Sequence, residues 1–196
     1  LVEQYAWRTP PTPRALQSTV YRLRQALGAE AVISRYRRVQ LNHRLVRLDT
    51  ERFLPLVADG STAALQSLRT AVAMVRGEPF ETMRHHPLWV PICETWQARV
   101  HAVHERLVAE ELSAGHLEDA ATLLRSLVLR EPAQINYWAT LVHVLVRLGR
   151  RADALLALDE ARRVSALQEL QLDPSLVAIE SDLLRVGRRA AVSSPA

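Results

Sequence analysis

The sequence predicts a mainly α-helical protein with one short β-hairpin near its N-terminus and a helical bundle after it. Three observations predict this class. Leucine and alanine are abundant whereas glycine is limited to six residues, a composition that favours helices. Apolar residues recur at helical spacing in "TPRALQSTVYRLRQALG", residues 12–28. Two later segments align with each other at an offset of 34 residues, a period typical of paired helices.

Composition excludes several classes of protein. The 196 residues are enough for one large or two small domains with a sizeable core. Hydrophobic residues at 48% and charged residues at 23% are the proportions of a globular protein. The single cysteine, Cys93, argues against a disulfide framework and favours a reducing compartment, the cytoplasm. No apolar run approaches about 20 residues, so no transmembrane span is predicted. The first residue is Leu rather than Met, which predicts a fragment of a longer protein.

Positive charge is concentrated in the N-terminal quarter of the chain. Residues 1–48 contain nine arginines and two acidic residues, a net charge of +7. Residues 49–196 contain sixteen arginines and nineteen acidic residues, a net charge of −3. A local cationic surface supplies much of the affinity of proteins for nucleic acids. The charge distribution therefore indicates DNA binding by the first segment, with an ordinary solvated basic surface as the alternative.

The basic segment predicts a helix followed by a hairpin. A short helix in "LVEQYAW" is ended by the prolines of "RTPPTP". Thr12 caps the next helix, residues 13–27, Pro13 opens it, and Gly28 is expected in a left-handed C-terminal cap. The stretch "AVISRYRRVQLNHRLVRLD" alternates around arginines and an "NHR" turn and predicts two or three short strands. A helix followed by an arginine-bearing hairpin is how a winged helix-turn-helix domain ends, and we assign residues 1–48 to it.

Residues 49–186 are predicted to form a tetratricopeptide-like stack of helices. "ERLVAEELSAGHLEDAATLLRSLV" aligns with "ATLVHVLVRLGRRADALLALDEAR", which places Gly115 on Gly149 and Ala120 on Ala154. The glycines permit the turn between paired helices, and the alanines permit their close approach. Other matched pairs are Leu107 with Leu141, Val108 with Val142, Asp119 with Asp153 and Leu124 with Leu158. "DTERFLPLV" and "STAALQSLRTAVAMV" predict an earlier helix pair, "PSLVAIESDLLRV" a capping helix, and residues 187–196 a flexible tail.

"ALQSTVYRLRQALG" and "AVISRYRRVQLNHRLVRLDTERF" together resemble the end of the winged-helix domain in bacterial transcriptional activators of the antibiotic-regulatory (SARP-like) class. In that class the recognition helix carries a similar L-Q-x-x-V-x-R-L-R-x-A-L-G pattern, matched here by residues 16–28. Asp49 and Phe53 match the D-x-x-x-F that follows. The first sheet and first helix of the family's domain have no counterpart, so the resemblance predicts a truncated DNA-binding domain.

The resemblance continues into the activation domain of the same family, a tetratricopeptide-like bundle. Residues 76–80 match its "RG-x-P/F" turn, Trp89 and Trp96 its tryptophan segment, and residues 169–174 its "E-L-x-x-x-P" stretch. What the resemblance implies is a transcriptional regulator that reads double-stranded promoter DNA with the winged helix. It implies protein contacts, with RNA polymerase or another regulatory protein, through the bundle. It is compatible with a homodimer, although no residue argues for one.

Individual roles can be assigned to the helix and hairpin on this basis. At about 100° per residue, Leu16, Val20, Leu23 and Leu27 form one stripe that is expected to seat the helix against its domain. Base contacts are expected from Gln17, Ser18, Tyr21 and Arg22, because Gln pairs with adenine and Arg with guanine. Phosphate contacts are expected from Arg14, Arg24, Arg35, Arg37 and Arg38. The alternative for each arginine is a solvated side chain.

Other combinations of reactive residues predict no enzyme, metal site or cofactor. His85 and His86 with Cys93, or His101 with His104, lack the four well-spaced donors of a zinc site. The sequence also lacks a glycine-rich phosphate loop and a strand–nucleophile–helix elbow. Three tryptophans are predicted to anchor the core rather than to stack on bases: Trp89, Trp96 and Trp138.

Two functions remain open on the sequence. The first is a sequence-specific DNA-binding transcriptional regulator, most simply an activator, or the C-terminal part of one. The second is a helical-repeat interaction scaffold whose truncated winged helix does not bind DNA.

Overall fold

The computed structural model of the chain describes residues 12–35, 38–58, 65–169 and 176–179. Arg37, the predicted helix in residues 1–7 and the predicted tail 187–196 lie outside these ranges. The described part is mainly helical, with one two-stranded antiparallel sheet ahead of the helical bundle, as the sequence predicts. No described helix combines the length and the apolar character needed to cross a bilayer.

The first described helix, α1, spans Pro13–Leu27 and has the predicted N-terminus. The Thr12 side chain accepts a hydrogen bond from the Ala15 N–H at 3.3 Å, and Pro13 takes the first helical position. Gly28 ends the helix with φ +99° and ψ 148°. Its φ is positive as expected, but its ψ is extended, so the prediction of a left-handed cap is wrong. The extended ψ is needed because the chain leaves the helix directly into a 3₁₀ turn, Ala29–Ala31, that leads into the sheet.

The sheet is a hairpin of β1, Val32–Arg35, and β2, Arg38–Leu41. The register places Val32 opposite Leu41 and Arg35 opposite Arg38. The predicted "NHR" turn follows β2, where the Asn42 carbonyl accepts the N–H groups of Leu45 and Val46 at 2.9 and 2.8 Å. The described residues therefore form two of the two or three predicted strands.

A small core joins α1 to the hairpin. Val20, Ala31 and Val32 are buried together, and Leu41 and Val46 pack against them. The prediction that four apolar residues seat α1 is wrong for two of them, since Leu23 is 40% exposed and Leu27 is 48% exposed. Among the described residues, the buried core at α1 consists of Val20, Ala31 and Val32 and includes neither Leu23 nor Leu27.

The next helices form the predicted earlier pair, with α2 at Asp49–Val57 and α3 at Leu65–Met74. Glu51, in the first turn of α2, accepts the Leu48 N–H at 3.3 Å and lies 3.1 Å from Nδ1 of His43. A loop with a 3₁₀ turn at Glu81–Met83 leads to α4, Val90–Ser113.

The chain divides into two compact units, Leu1–His104 and Glu105–Ala196. The division falls within α4, which is continuous through it. The predicted domain boundary after residue 48 stays a prediction.

The second unit contains α5, Leu117–Arg130, α6, Ile135–Arg147, and α7, Arg151–Leu167. Backbone hydrogen bonds at the two inter-helix turns repeat at the predicted offset of 34 residues. His116 N–H binds the Glu111 carbonyl at 2.8 Å, and Arg150 N–H binds the Leu145 carbonyl at 2.9 Å. The two inter-helix glycines have the same conformation, with φ +78° at Gly115 and +72° at Gly149.

Burial repeats with the same offset. Ala120 and Ala154 are completely buried, as are Leu124 and, to within 1%, Leu158. Trp138 is buried as predicted, and its indole N–H binds the Pro132 carbonyl at 3.0 Å. Leu176, in the helical turn 176–179, is buried in the same core and supports the predicted capping segment.

Candidate nucleic-acid interface

The outer face of α1 carries the side chains that the sequence assigned to DNA. Arg14, Gln17, Ser18 and Arg22 are all exposed, and Tyr21 is 64% exposed. The five are spaced three or four residues apart, which places them along one continuous face of the helix. Arg14, Ser18 and Tyr21 lie opposite the apolar stripe, and Gln17 and Arg22 flank them. This face presents two guanidinium groups, an amide and two hydroxyls, a donor and acceptor set suited to base edges and phosphates.

Arg24 has a partner within the protein. Its Nε and Nη2 donate to the Val32 carbonyl at 3.1 and 3.0 Å, and Nη2 also donates to Ser34 Oγ at 3.0 Å. Hydrogen bonds from a guanidinium are stronger than neutral ones. Arg24 therefore fixes the hairpin to α1, and less of its hydrogen-bonding capacity remains for a phosphate.

The hairpin presents further arginines close together. Arg35 and Arg38 are exposed and face each other across the strands. Like charges directly opposite each other destabilise a strand pair, so this arrangement favours an anionic partner. Arg37, between them in sequence, lies outside the described residues. Arg44 and Arg47 are also exposed. They contribute to the predicted positive charge of residues 1–48 but were not among the predicted DNA contacts.

The part of the chain after β2 identifies the family. Residues 42–184 match the bacterial transcriptional activator domain. The chain belongs to this family. The match confirms the predicted relationship to the SARP-like activators, and α1 and the hairpin precede the matched region. None of the curated proteins matches the chain.

The loop that resembles the family's "RG-x-P/F" turn builds an aromatic cluster in the first unit. The Phe80 ring centroid lies 5.7 Å from Trp89 and 6.2 Å from Trp96, and Phe53 lies 6.0 Å from Trp96. Phe80 has left-handed backbone angles, φ 55° and ψ 33°, which cost a bulky residue about 1–3 kcal/mol. Trp89 and Trp96 are half-buried, so they are less completely enclosed than the predicted core anchors.

One group of side chains that could bind a metal ion, among the described residues, was not predicted from the sequence. Ligand atoms of Glu111, His116 and Asp119 lie within 4.8 Å of one another. The repeat accounts for two members of the group, because His116 and Asp119 occupy the positions of Arg150 and Asp153, whereas Glu111 occupies that of Leu145. Arg150 Nε binds the Asp153 carboxylate at 2.8 Å, and His116 Nδ1 lies 2.9 Å from the buried Glu111 carboxylate. The offset of 34 residues therefore marks the positions of His116 and Asp119 but gives no signal for Glu111.

Proposed function

We propose that the chain is a DNA-binding transcriptional regulator, or the C-terminal part of one, that reads promoter DNA with helix 13–27. The observation that carries the proposal is the exposed α1 face, whose Arg22 and Gln17 can reach base edges beside an arginine-bearing hairpin. Membership of the bacterial transcriptional activator domain family supports the regulatory role. Activation is the direction of regulation that the family's name favours.

The assignment of side chains follows their surroundings. Gln17, Ser18, Tyr21 and Arg22 contact bases, because they share the exposed face of α1. Arg14, Arg35, Arg37 and Arg38 contact phosphates. Arg24 acts mainly as a positioning residue, because three of its hydrogen bonds hold the hairpin.

The helical bundle supplies the protein contacts of this proposal. RNA polymerase or another regulatory protein is the partner that fits a promoter-bound activator, and a second copy of the chain is an additional partner. The chain acts by binding rather than by catalysis, and a regulator of bacterial promoters works beside the chromosome in the cytoplasm.

A second candidate is an interaction scaffold that does not bind DNA. The observation that favours it is the exposure of Leu23 and Leu27, at 40% and 48%. In this alternative α1 uses its apolar stripe, and not its polar face, to contact a partner.

Fluorescence anisotropy with a random-sequence duplex, measured across a salt series, separates the two candidates. The first candidate predicts binding that weakens steeply with salt, because phosphate contacts release counterions. The Arg22→Gln variant is then expected to lose about 1–3 kcal/mol of affinity for a selected site. Arg163→Gln removes an exposed arginine in the second unit and serves as the matched control. Failure of the unaltered chain to bind at low salt would show that the helix and hairpin do not bind DNA as they stand, and it would favour the scaffold.

A further inference from the structure

A cavity of about 510 Å³ lies in the first unit, and none of its lining residues belongs to α1. Its walls come from α2, from the end of α3 with the loop 75–80, and from α4. Binding sites for small molecules have volumes of about 300–1,000 Å³. The cavity is therefore large enough for a compact organic molecule.

Aromatic rings form the apolar part of the wall. Phe53, Phe80 and Trp96 all line the cavity, and both phenylalanine rings pack on Trp96 in tilted or edge-on orientations. Tilted rings offer both faces and edges to a further ring, and such contacts favour planar aromatic groups. The left-handed backbone of Phe80 places its ring in this cluster, at the end of the 75–80 loop.

The charged side chains in the wall do not all have an oppositely charged partner. Four charged residues line the cavity: Asp49, Arg52, Arg76 and Glu78. Glu78 pairs with Arg84, which does not line the cavity, so its charge is compensated. Asp49 accepts the adjacent Thr50 N–H at 2.8 Å and keeps its charge, so with two arginines the wall has an excess of positive charge. Within the described residues, no carboxylate pairs with Arg52 or Arg76. The cavity thus offers guanidinium donors that an anion can satisfy.

We propose that this cavity binds a small planar aromatic molecule carrying a carboxylate. The aromatic rings hold the planar body, and Arg52 and Arg76 bind the carboxylate, for which the fork of a guanidinium is well suited. The site would give a member of this family a small-molecule ligand, and the proposal does not depend on DNA binding by α1.

The test compares two probes of the same shape, 2-naphthoate and the uncharged 2-naphthamide. Isothermal titration calorimetry gives their affinities, and the indole N–H signal of Trp96 in a ¹H–¹⁵N spectrum locates them. We expect 2-naphthoate to shift the Trp96 signal and to bind about tenfold more tightly than 2-naphthamide, since losing a charged hydrogen bond is worth about this factor.

Variants identify the groups that bind the carboxylate. Arg52→Gln and Arg76→Gln are each expected to weaken 2-naphthoate about tenfold and to leave 2-naphthamide unchanged. Both side chains are exposed, so the fold should tolerate the substitutions. Arg163→Gln, which lies on α7, should have no effect on either probe. Equal binding of the two probes, unaltered binding by both cavity variants, or no shift of Trp96 with millimolar 2-naphthoate would each overturn the proposal.

Discussion

The guanidinium of Arg24 binds the carbonyl of Val32 through two nitrogens, with Nε at 3.1 Å and Nη2 at 3.0 Å. A helix residue thereby holds the first residue of β1. The small core of Val20, Ala31 and Val32 lies at the same junction. Polar and apolar contacts together fix the position of the hairpin arginines relative to the exposed face of α1.

Replacing Arg24 tests this junction. Arg24→Gln removes the two-point hydrogen bond and should lower the free energy of local opening of the hairpin by about 1–2 kcal/mol. Amide hydrogen exchange of β1 and β2 measures the opening. Arg22→Gln, an exposed neighbour on the same helix, is the control and should leave exchange unchanged. Unaltered exchange in Arg24→Gln would show that the core alone holds the hairpin.

Because Arg35 and Arg38 face each other across the hairpin, replacing Arg38 should have opposite effects on stability and on DNA binding. Arg38→Gln relieves a cross-strand repulsion and should stabilise the hairpin by about 0.2–1 kcal/mol. The same change should weaken DNA binding and reduce its salt slope by about one. Thermal unfolding and salt-dependent anisotropy measure the two effects. An unchanged salt slope would exclude Arg38 as a phosphate contact.

The two repeat glycines should be equally sensitive to substitution. Gly115→Ala and Gly149→Ala place a Cβ on a backbone with φ near +78° and +72°, which should cost about 1–2 kcal/mol each. Gly77→Ala is the control, because its Cβ meets nothing within 4 Å and its φ lies outside the left-handed range. Urea unfolding measures all three variants. A loss at Gly77 as large as at the other two would contradict the conformational explanation.

Burial, with a smaller contribution from Glu131, raises the pKa of Tyr137 to about 12 from its ordinary value of 10. The native state therefore keeps the phenolic proton that the unfolded chain loses first. Stability associated with Tyr137 is complete below pH 10 and is lost as the pH rises from 10 to 12. The loss is at most about 3 kcal/mol. Chemical denaturation across this range should show a smaller decline for Tyr137→Phe than for the unaltered chain. Parallel declines would refute the prediction.

Local sequence signals were sufficient for the helices and the repeat. Thr12 and Pro13 located the start of α1, because capping and proline geometry depend on adjacent residues only. Gly115 and Gly149 located the inter-helix turns, because a positive φ excludes most other residues. The exposed polar side of α1 also followed from helical periodicity.

Tertiary structure decided what depends on residues that are distant in sequence. The strand register places Arg35 opposite Arg38. The hydrogen bond from Arg24 to the Val32 carbonyl forms only because the hairpin packs on α1. The cavity required Phe53, Phe80 and Trp96 to meet from separate segments. Periodicity reports which face of one element is apolar, whereas only packing decides which partner covers that face and which charges remain unpaired.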